Sequence, residues 1–500
     1  MPDNHFNINV REKEMLALNY NDKVERWCIF ELELKGPDTG NPFKEIKLNA
    51  CFKHKNRTVV ADGFYDGEGV HRVRFMPDIT GQWSFVTESN CEIMDGVEGS
   101  FECVSPGKGN NGPVYVYDDH NFTYANGLPY YPFGTTLYAW IHQGDLLEEQ
   151  TLESLKNSPF NKVRMMIFPK HLFFNNNEPV YHPFERNADN SWNFSRFNIR
   201  FFKHLERRLN NLLNMGIEAD LILFHPYDCW GYSTMDPETD DFYLNYVVAR
   251  LAAYRNIWWS LANEYDIMKS KKMTDWDRFF KVIQECDPYG HLRSIHYLDT
   301  PYDYGKPWVT HQSIQSFFLD FRKVQEWRNL FKKPVVLDEY GYEGNVNHAW
   351  GSLTGQELLR RSWEIVTRGG YASGHGETFL HPQDILWWSK GGTLQGESFK
   401  RINFLKRIME EGPEPAKGLK PIVIAWDVSC IGVENEYYLI YFGFQRPAVR
   451  PLQLPEDVSY TVEIIDTWDM TITQIDGIYK GEFKIDLPGI PYIALRIKKI

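Results

Sequence analysis

Paired cysteines, a secretory signal and long apolar runs are all missing from this sequence. The seven cysteines, at positions 28, 51, 91, 103, 229, 286 and 430, form no Cys-x-x-Cys pair. They therefore indicate neither a disulfide framework nor a zinc knuckle. The start of the chain lacks the basic and apolar stretches of a signal peptide, and no apolar run is long enough to span a membrane. We expect a cytoplasmic protein with reduced thiols and no membrane partner.

Signatures of nucleotide, nucleic-acid and serine-nucleophile chemistry are also missing. The formal net charge is −13 and no basic cluster occurs, which argues against a nucleic-acid partner. The glycine-rich segment 105–113 is followed by no Lys-Ser or Lys-Thr, which a phosphate-binding loop requires. No Gly-x-Ser-x-Gly elbow is found. We expect neither a cofactor nor a bound metal.

The sequence does contain enough apolar material for several cores. Its 500 residues are 43% hydrophobic, 24% charged and 15% aromatic. At roughly 150 residues per domain, this length suggests two to four domains. Tryptophan and tyrosine often line sugar sites, but the first interpretation of any single aromatic residue is a place in the core.

Three kinds of pattern divide the chain. Residues 1–105 contain short alternating strands broken by turn residues, which predicts an N-terminal antiparallel β-sandwich. Glycine, proline and asparagine near residue 110 predict a linker over 106–129. Residues 130–418 alternate strands with amphipathic helices, as in a parallel α/β architecture. Residues 419–500 return to short strands and predict a small antiparallel β-sandwich.

The central region has the length and spacing of a (β/α)8 TIM barrel. Strands are expected to end near 136, 168, 225, 264, 297, 312, 339 and 377, with helices at 145–157, 196–215, 238–254, 274–286, 320–331 and 354–369. The segment 169–193 is too long for a plain connection and contains several aromatic residues. We expect it to form a lid that faces the substrate.

Two predicted strands end in a glutamate. Residues 256–264 form an apolar run that ends in Asn263 and Glu264, and residues 334–339 form a second run that ends in Glu339. The two glutamates are 339 − 264 = 75 residues apart, or two to three βα units of roughly 25 to 40 residues, so both can project from one rim. Two carboxyl groups across a cleft suit the acid and the nucleophile of glycosidic cleavage. Burial would raise the pKa of Glu264, and the buried cation Arg164 would help to keep Glu339 ionised.

Three histidines, His225, His296 and His311, also fall at predicted strand ends. We expect them to contact sugar hydroxyls, with a place in the core as the alternative for His225 and His296. With a carboxylate, the three imidazoles would also suit a zinc site. That alternative lacks a His-x-His after the first strand and leaves the paired glutamates without a role.

Polar and aromatic residues on the rim loops are further candidates. Asp228 and Trp230 follow the third strand and are expected to bind the sugar and stack on it. Glu377 either binds a hydroxyl or takes part in a structural ion pair.

These motifs resemble a known group of enzymes. Asn263-Glu264 at the end of a fourth strand, with a glutamate ending the seventh strand in residues 337–341, is similar to the large clan of retaining (β/α)8 β-glycosidases. Residues 224–231, 249–266 and 308–315 resemble bacterial glycoside hydrolases related to the apiosidase-like barrels. Those proteins carry an N-terminal immunoglobulin-like domain and a C-terminal β domain. The resemblance covers nearly the whole chain and is specific to the clan rather than to one sugar.

The resemblance implies a role for each central residue. Glu264 would be the acid/base and Glu339 the nucleophile, Asn263 would hold the hydroxyl next to the anomeric carbon, Arg164 would support the nucleophile and Tyr297 would hydrogen-bond it. The two carboxyl groups would then lie ~5 to 5.5 Å apart, which is the separation for retention.

The expected function is a retaining glycoside hydrolase that cleaves β-glycosidic bonds of short oligosaccharides or glycosides. Apiose, galactofuranose, glucose and galactose all stay open as the sugar, as do exo or endo action and homo-oligomer formation. One alternative is a metal-dependent barrel hydrolase that uses the rim histidines. The other is a catalytically silent carbohydrate-binding protein, which the presence of both glutamates argues against.

Overall fold

A computed structural model describes residues 19–318, 320–413 and 418–500. Residues 1–18, which the sequence assigned to the N-terminal domain, lie outside the described residues. The prediction that the chain has no signal peptide rests on this segment. Within the described ranges, no helix combines the length and the apolar character needed to cross a membrane.

An N-terminal β-sandwich surrounds its own apolar core. The strand Arg57–Tyr65 pairs with Leu48–His54 through residues 57–62 and with Val70–Phe75 through residues 63–65. It therefore changes partner at Gly63 and joins the two layers. In sheet order the strands are Lys23–Glu25, Glu98–Val104, Gly81–Ser89, Leu48–His54, Arg57–Tyr65, Val70–Phe75 and Phe30–Lys35, with the short helix Pro42–Glu45 outside.

The central region is a (β/α)8 barrel, as predicted. Five parallel strands are Gly134–Thr136, Lys162–Met166, Glu218–Phe224, Ile257–Ala262 and Arg293–Ser294, and three more are Gln312–Gln315, Val335–Glu339 and Tyr371–Ala372. Parallel bridges from His296 to Ser313 and from Thr135 to His375 join the two groups into a ring. The sixth strand begins at Gln312, where the prediction had it end.

Helices surround the barrel, and those that follow Asn198, Asp236 and Thr354 begin at a side-chain cap. Asp236 accepts a hydrogen bond from the Thr239 amide, and Pro237 occupies the first turn, where a missing N–H costs nothing. The helices are Asp145–Lys156, Ile199–Asn214, Pro237–Leu251, Met273–Cys286, Arg322–Phe331, Gly355–Thr367, Trp387–Lys390 and Ser398–Glu410.

A compensated set of charges fills the middle of the barrel. The Lys162 ammonium lies 2.6 Å from Asp220 Oδ2 and 2.9 Å from Asp338 Oδ1. The Arg164 guanidinium lies 3.5 Å from Asp220 and 3.8 Å from Asp338. All four residues are buried, so each charge depends on its partners to offset the loss of hydration.

The segment predicted as a linker is structured from residue 114 onward. Val114–Val116, Phe122–Tyr124 and Pro129–Tyr130 form a three-stranded antiparallel sheet. Its apolar side chains pack against residues at the N-terminal ends of the barrel strands, namely Trp258, Leu292, Val336 and Tyr371. The linker prediction is wrong here because strands of two or three residues are too short to show a periodic pattern.

The C-terminal β domain packs on the barrel helix Gly355–Thr367. Trp363 stacks on Tyr441 with ring centroids 5.3 Å apart, and the hydroxyls of Thr367 and Ser429 are 2.7 Å apart. The larger sheet has the order Lys420–Pro421, Ser429–Val433, Tyr437–Tyr441, Ile493–Lys499, Tyr460–Asp466 and Thr471–Tyr479, and the smaller sheet pairs Val449–Gln453 with Glu482–Asp486.

Candidate active site

A cavity of about 590 Å³ opens at the C-terminal ends of the barrel strands. Glu264 and Glu339 both line it, together with Asn263. Other residues that line it follow different strands and are largely aromatic: Tyr138, Lys170, Tyr227, Gln315, Tyr342 and Trp388. The structure therefore brings the two predicted glutamates into one aromatic cavity.

Glu264 directly follows the buried strand Ile257–Ala262 and Asn263. Its backbone adopts φ 50° and ψ 53°, a left-handed conformation that is uncommon outside glycine and is often found at functional sites. Burial raises the pKa of Glu264 to about 7, and the Gln315 amide and the Lys170 ammonium oppose part of that rise. A carboxyl group with this pKa carries a proton for part of the time at neutral pH.

Glu339 ends the strand Val335–Glu339 and meets the Tyr138 hydroxyl, which donates a hydrogen bond to its Oε1 atom. The Nε2 atom of His296 lies 3.9 Å from the same oxygen. Burial raises the pKa of Glu339 to about 8, and the neighbouring Tyr342 hydroxyl opposes the rise. Tyr138 thus takes the place beside the carboxylate that Tyr297 was expected to have.

Arg164 positions Asn263 rather than Glu339. Its Nη2 atom donates to Asn263 Oδ1 at 2.9 Å, and its Nη1 atom lies 3.2 Å from Ser260 Oγ. The Tyr138 hydroxyl is 3.2 Å from the same amide oxygen. The expected direct support of Glu339 by Arg164 is therefore wrong, because the guanidinium is held lower in the barrel by Asp220 and Asp338.

Lys170 is a cavity residue that the sequence did not single out. Its side chain is buried, and the ammonium lies 3.7 Å from the ring centroid of Trp388 and 4.9 Å from that of Tyr138. Burial lowers the pKa of Lys170 to about 7, opposed by the negative charge of Glu264. Lys170 and Tyr138 each lie a few residues after the end of a barrel strand, and this position in the sequence could have indicated that they belong to the site.

The three histidines are not brought together. His225 uses both ring nitrogens, with Nε2 3.1 Å from the Phe168 carbonyl and Nδ1 3.1 Å from the Tyr227 amide. His311 precedes its strand and packs at the opposite end of the barrel, 5.2 Å from Trp258 between ring centroids. The expected sugar contact of His311 is wrong because the sixth strand begins where the prediction placed its end.

This separation removes the zinc site proposed from the three histidines. Among the described residues, the group whose side-chain atoms lie close enough together to bind a metal ion is Asp145, Glu148 and His204. Arg208 already pairs with both of those carboxylates, at 3.0 Å from Asp145 and 2.6 Å from Glu148. Neither set lines the cavity.

The remaining rim candidates shape loops and do not line the cavity. Asp228 accepts hydrogen bonds from the backbone amides of residues 230–233, and Trp230 donates to Glu178 at 3.3 Å. Glu377 accepts from the Gln395 amide at 2.7 Å. Tyr297 is buried, with its ring centroid 6.5 Å from that of Tyr304. In this structure their side chains support the walls of the site.

The long segment 169–193 contributes directly to the cavity. Lys170, Leu172 and Phe173 line the opening. The end of the segment is not irregular, because Phe184–Arg186 pairs with Trp192–Phe197 as a hairpin. The hairpin itself does not line the cavity and contacts the N-terminal domain, where Asn41 Nδ2 donates to the Ser195 carbonyl at 2.9 Å. A lid that faces the substrate stays a prediction.

A (β/α)8 barrel that places two glutamates and an adjacent asparagine in one aromatic cavity at its C-terminal rim is characteristic of glycoside hydrolases. Residues 117–413 match the apiosidase-like catalytic domain. The chain belongs to this family and is a glycoside hydrolase. Residues 23–90 match a domain of unknown function (DUF5060), and residues 426–498 match another (DUF5605).

Solved structures agree with this assignment. A protein from Bacteroides vulgatus ATCC 8482, provisionally classed as a glycoside hydrolase, is 40% identical to this chain. The alignment covers 96% of this chain and 100% of that protein, with a TM-score of 0.91. A family 5 glycoside hydrolase from the same organism is 16% identical over 78% of this chain and 93% of its own, with a TM-score of 0.61. The second likeness supports the fold alone. No curated protein sequence matches the chain.

Proposed function

We propose that this glycoside hydrolase is a retaining β-glycosidase of short glycosides, with Glu264 as the acid/base and Glu339 as the nucleophile. The observation that carries the proposal is the shared cavity of Glu264 and Glu339, with Asn263 next to the first. In this arrangement Asn263 binds the hydroxyl beside the anomeric carbon, and Arg164 acts by orienting its amide.

The reaction needs two displacements. In the first, Glu339 attacks the anomeric carbon while Glu264 gives its proton to the departing glycosidic oxygen, so the leaving group departs as a neutral alcohol. In the second, Glu264 takes a proton from water, and the water oxygen replaces Glu339 on the anomeric carbon. Each carboxyl group then returns to its starting state.

The two carboxyl groups both have raised pKa values. Burial raises both, to about 7 for Glu264 and about 8 for Glu339. Because the pKa of Glu339 is the higher of the two, a single shared proton lies more often on Glu339, and the reactive form, with the proton on Glu264, is the minority form near neutral pH. The Tyr138 hydroxyl favours that form because it donates to the ionised Glu339.

The shape of the site favours short substrates. The cavity of about 590 Å³ has the size of a pocket for one small ligand. The three-stranded sheet closes the far end of the barrel, so substrate enters from the rim. Phe318 is 90% exposed and lines the mouth, where it offers a ring face to a leaving-group sugar. We propose removal of one sugar from the non-reducing end. Apiose, galactofuranose, glucose and galactose all stay open as the sugar that is removed.

The first experiment is hydrolysis of a panel of nitrophenyl β-glycosides and short oligosaccharides by the intact protein, Glu264→Gln and Glu339→Gln. Loss of the acid/base is expected to lower kcat/KM about 10²–10⁴-fold, and more for a sugar leaving group than for nitrophenolate, which departs without a proton. NMR of the first product formed reports its anomeric configuration, and inversion would overturn the retaining mechanism.

A matched control is Glu218→Gln. Glu218 is also a buried strand glutamate, and burial raises its pKa to about 8, but it binds Trp258 Nε1 at 3.1 Å and does not line the cavity. Its substitution should leave hydrolysis unchanged. Equal losses in all three variants would mean that the effect comes from burial in general and would contradict the assigned roles. The cytoplasmic location stays a prediction, which cell fractionation tests.

A further inference from the structure

Lys170 presents a buried positive charge to the cavity without a negative partner in contact. The residue is 2% exposed and lines the cavity. Around its ammonium stand three rings, those of Trp388 at 3.7 Å, Tyr138 at 4.9 Å and Tyr227 at 5.6 Å. Among the residues that the structure describes, no carboxylate lies within ion-pair distance of this ammonium and no acceptor lies within hydrogen-bond distance.

Two other lysines with little exposed side chain are paired. Lys162 contacts Asp220 and Asp338, and Lys271 lies 2.5 Å from Asp240 Oδ2 with 3% of its side chain exposed. A buried ammonium is costly without such a partner, and ring faces replace only part of its hydration. Lys170 is thus an amine whose charged form has no contacting counter-ion in the protein alone, and burial lowers its pKa to about 7, so a bound anion would favour the ammonium.

The position of Lys170 relative to the reacting groups indicates what it would touch. Tyr138 lies between Lys170 and Glu339, because its ring faces the Lys170 ammonium and its hydroxyl donates a hydrogen bond to Glu339. In the orientation proposed above, with the anomeric carbon facing Glu339, we place the ring substituents of the sugar toward Lys170, whose charge also interacts with that of Glu264. The described residues that line the cavity include no other lysine and no arginine.

We propose that Lys170 binds the carboxylate of a uronic acid, so that the sugar removed by this enzyme is an acidic one. The inference rests on the proposed function for the orientation of the sugar in the cavity. The carboxylate would supply the missing partner as a charge-assisted hydrogen bond in a water-poor pocket.

A carboxylate fits the cavity better than two other groups do. A neutral hydroxyl would accept a hydrogen bond but would leave the charge uncompensated. A phosphate monoester carries nearly two charges near neutral pH, and the described lining offers one cation. One ammonium and one carboxylate balance, and the pairing offsets the lowering effect of Lys170 on the pKa of Glu264, which favours the protonated acid.

The test measures binding apart from hydrolysis. Glu264→Gln, which cannot turn over readily, is titrated with methyl β-glucuronide, methyl β-galacturonide, the matching neutral methyl glycosides and the 6-phosphates. The signal is the change in intrinsic tryptophan fluorescence, to which Trp350 and Trp388 in the cavity contribute. We expect one uronide to bind about 10- to 100-fold more tightly than its neutral partner. Equal affinities, or tighter binding of a 6-phosphate, would overturn the proposal.

Variants of Lys170 give a second measurement. Lys170→Met keeps the length of the side chain and should abolish the preference for the uronide, whereas Lys170→Arg should keep part of it. If Lys170→Met weakens uronide and neutral sugar equally, Lys170 binds hydroxyls and the inference fails. If Lys170→Met does not fold, the comparison of uronide with neutral sugar in the Glu264→Gln protein still decides.

Hydrolysis by the unsubstituted protein separates this inference from the proposed function. If uronides bind through Lys170 but none is cleaved, the inference stands and the proposed reaction fails. If a neutral glycoside is cleaved through Glu264 and Glu339 while uronides neither bind nor react, the reaction stands and the inference fails.

Discussion

Arg164 Nη2 lies 2.9 Å from Asn263 Oδ1, and this hydrogen bond fixes which end of the amide faces the cavity. The Tyr138 hydroxyl, 3.2 Å away, also contacts the amide oxygen. The Asn263 NH₂ group is therefore left to donate to a substrate oxygen. Arg164 takes part in binding through another side chain, although it does not line the cavity itself.

Substitution of Asn263 by alanine should slow only substrates that carry the hydroxyl next to the anomeric carbon. Hydrogen bonds to that hydroxyl strengthen in the transition state by several kcal/mol, so kcat/KM should fall about 100-fold or more. On the matching 2-deoxy glycoside the loss should be small. Arg164→Lys should show the same pattern, since lysine cannot reproduce the planar fork. Equal losses of kcat/KM on the glycoside and on its 2-deoxy analogue would mean that the Asn263 amide does not bind this hydroxyl.

The pH dependence of kcat/KM should be bell-shaped, with its maximum between pH 7 and 8. Burial raises the pKa of Glu264 to about 7, so the proton needed by the leaving group is lost as the pH rises. Burial raises the pKa of Glu339 to about 8, so the ionised nucleophile is lost as the pH falls. Initial rates at low substrate concentration measure the curve. Glu264→Gln should lose the alkaline limb, and an unchanged limb would contradict its assignment.

Tyr138→Phe should lower activity and shift the acid limb of that curve. The variant loses a hydrogen bond to an ionised carboxylate, worth about 1.5–3 kcal/mol, so a fall of about 10- to 100-fold is expected. Without this donor the pKa of Glu339 rises further, and the acid limb moves to higher pH. Tyr243→Phe is the control, because its hydroxyl binds the Leu223 carbonyl at 3.2 Å outside the cavity. A lower rate with an unshifted limb would point to a structural role alone.

Lys162→Met should destabilise the barrel strongly. It would leave Asp220 and Asp338 facing each other with only the more distant Arg164 to compensate them. Removal of one partner from a buried ion pair typically costs about 3–5 kcal/mol, measurable by denaturant unfolding. Lys23→Met, which breaks an exposed pair with Glu102 at 3.7 Å, should change the free energy of unfolding by less than about 1 kcal/mol. Similar effects of the two substitutions would contradict the importance of the buried charges.

The barrel was predictable because its strands are buried runs with clear ends. The run that leads to Glu264 is buried at every position from Ile257 to Ala262, and such a run has few interpretations other than a parallel strand covered on both faces. The polar residues at its end, and Glu339 at the end of a similar run, were expected at the rim and do line the cavity.

The misassigned and missed residues share a physical cause. His311 was placed at the wrong end of the barrel by a shift of a few residues in one short strand, because a strand of four residues has no reliable period. Lys170 was missed because a lone lysine after a proline is ordinarily solvated, and its burial depends on rings that come from residues 138, 227 and 388. Contacts between such distant positions cannot be inferred from local pattern.

The small sheet formed by residues 114–130 determines where the chain can be shortened. A truncated protein that begins at Tyr130 would expose Trp258, Val336 and Tyr371 to water, since Val114 and Phe122 would no longer cover them. Such a fragment should aggregate or be degraded, although it retains both glutamates. One that begins just before Val114 keeps this cover, so the apolar base of the barrel depends on residues inside the segment whose composition predicted a linker.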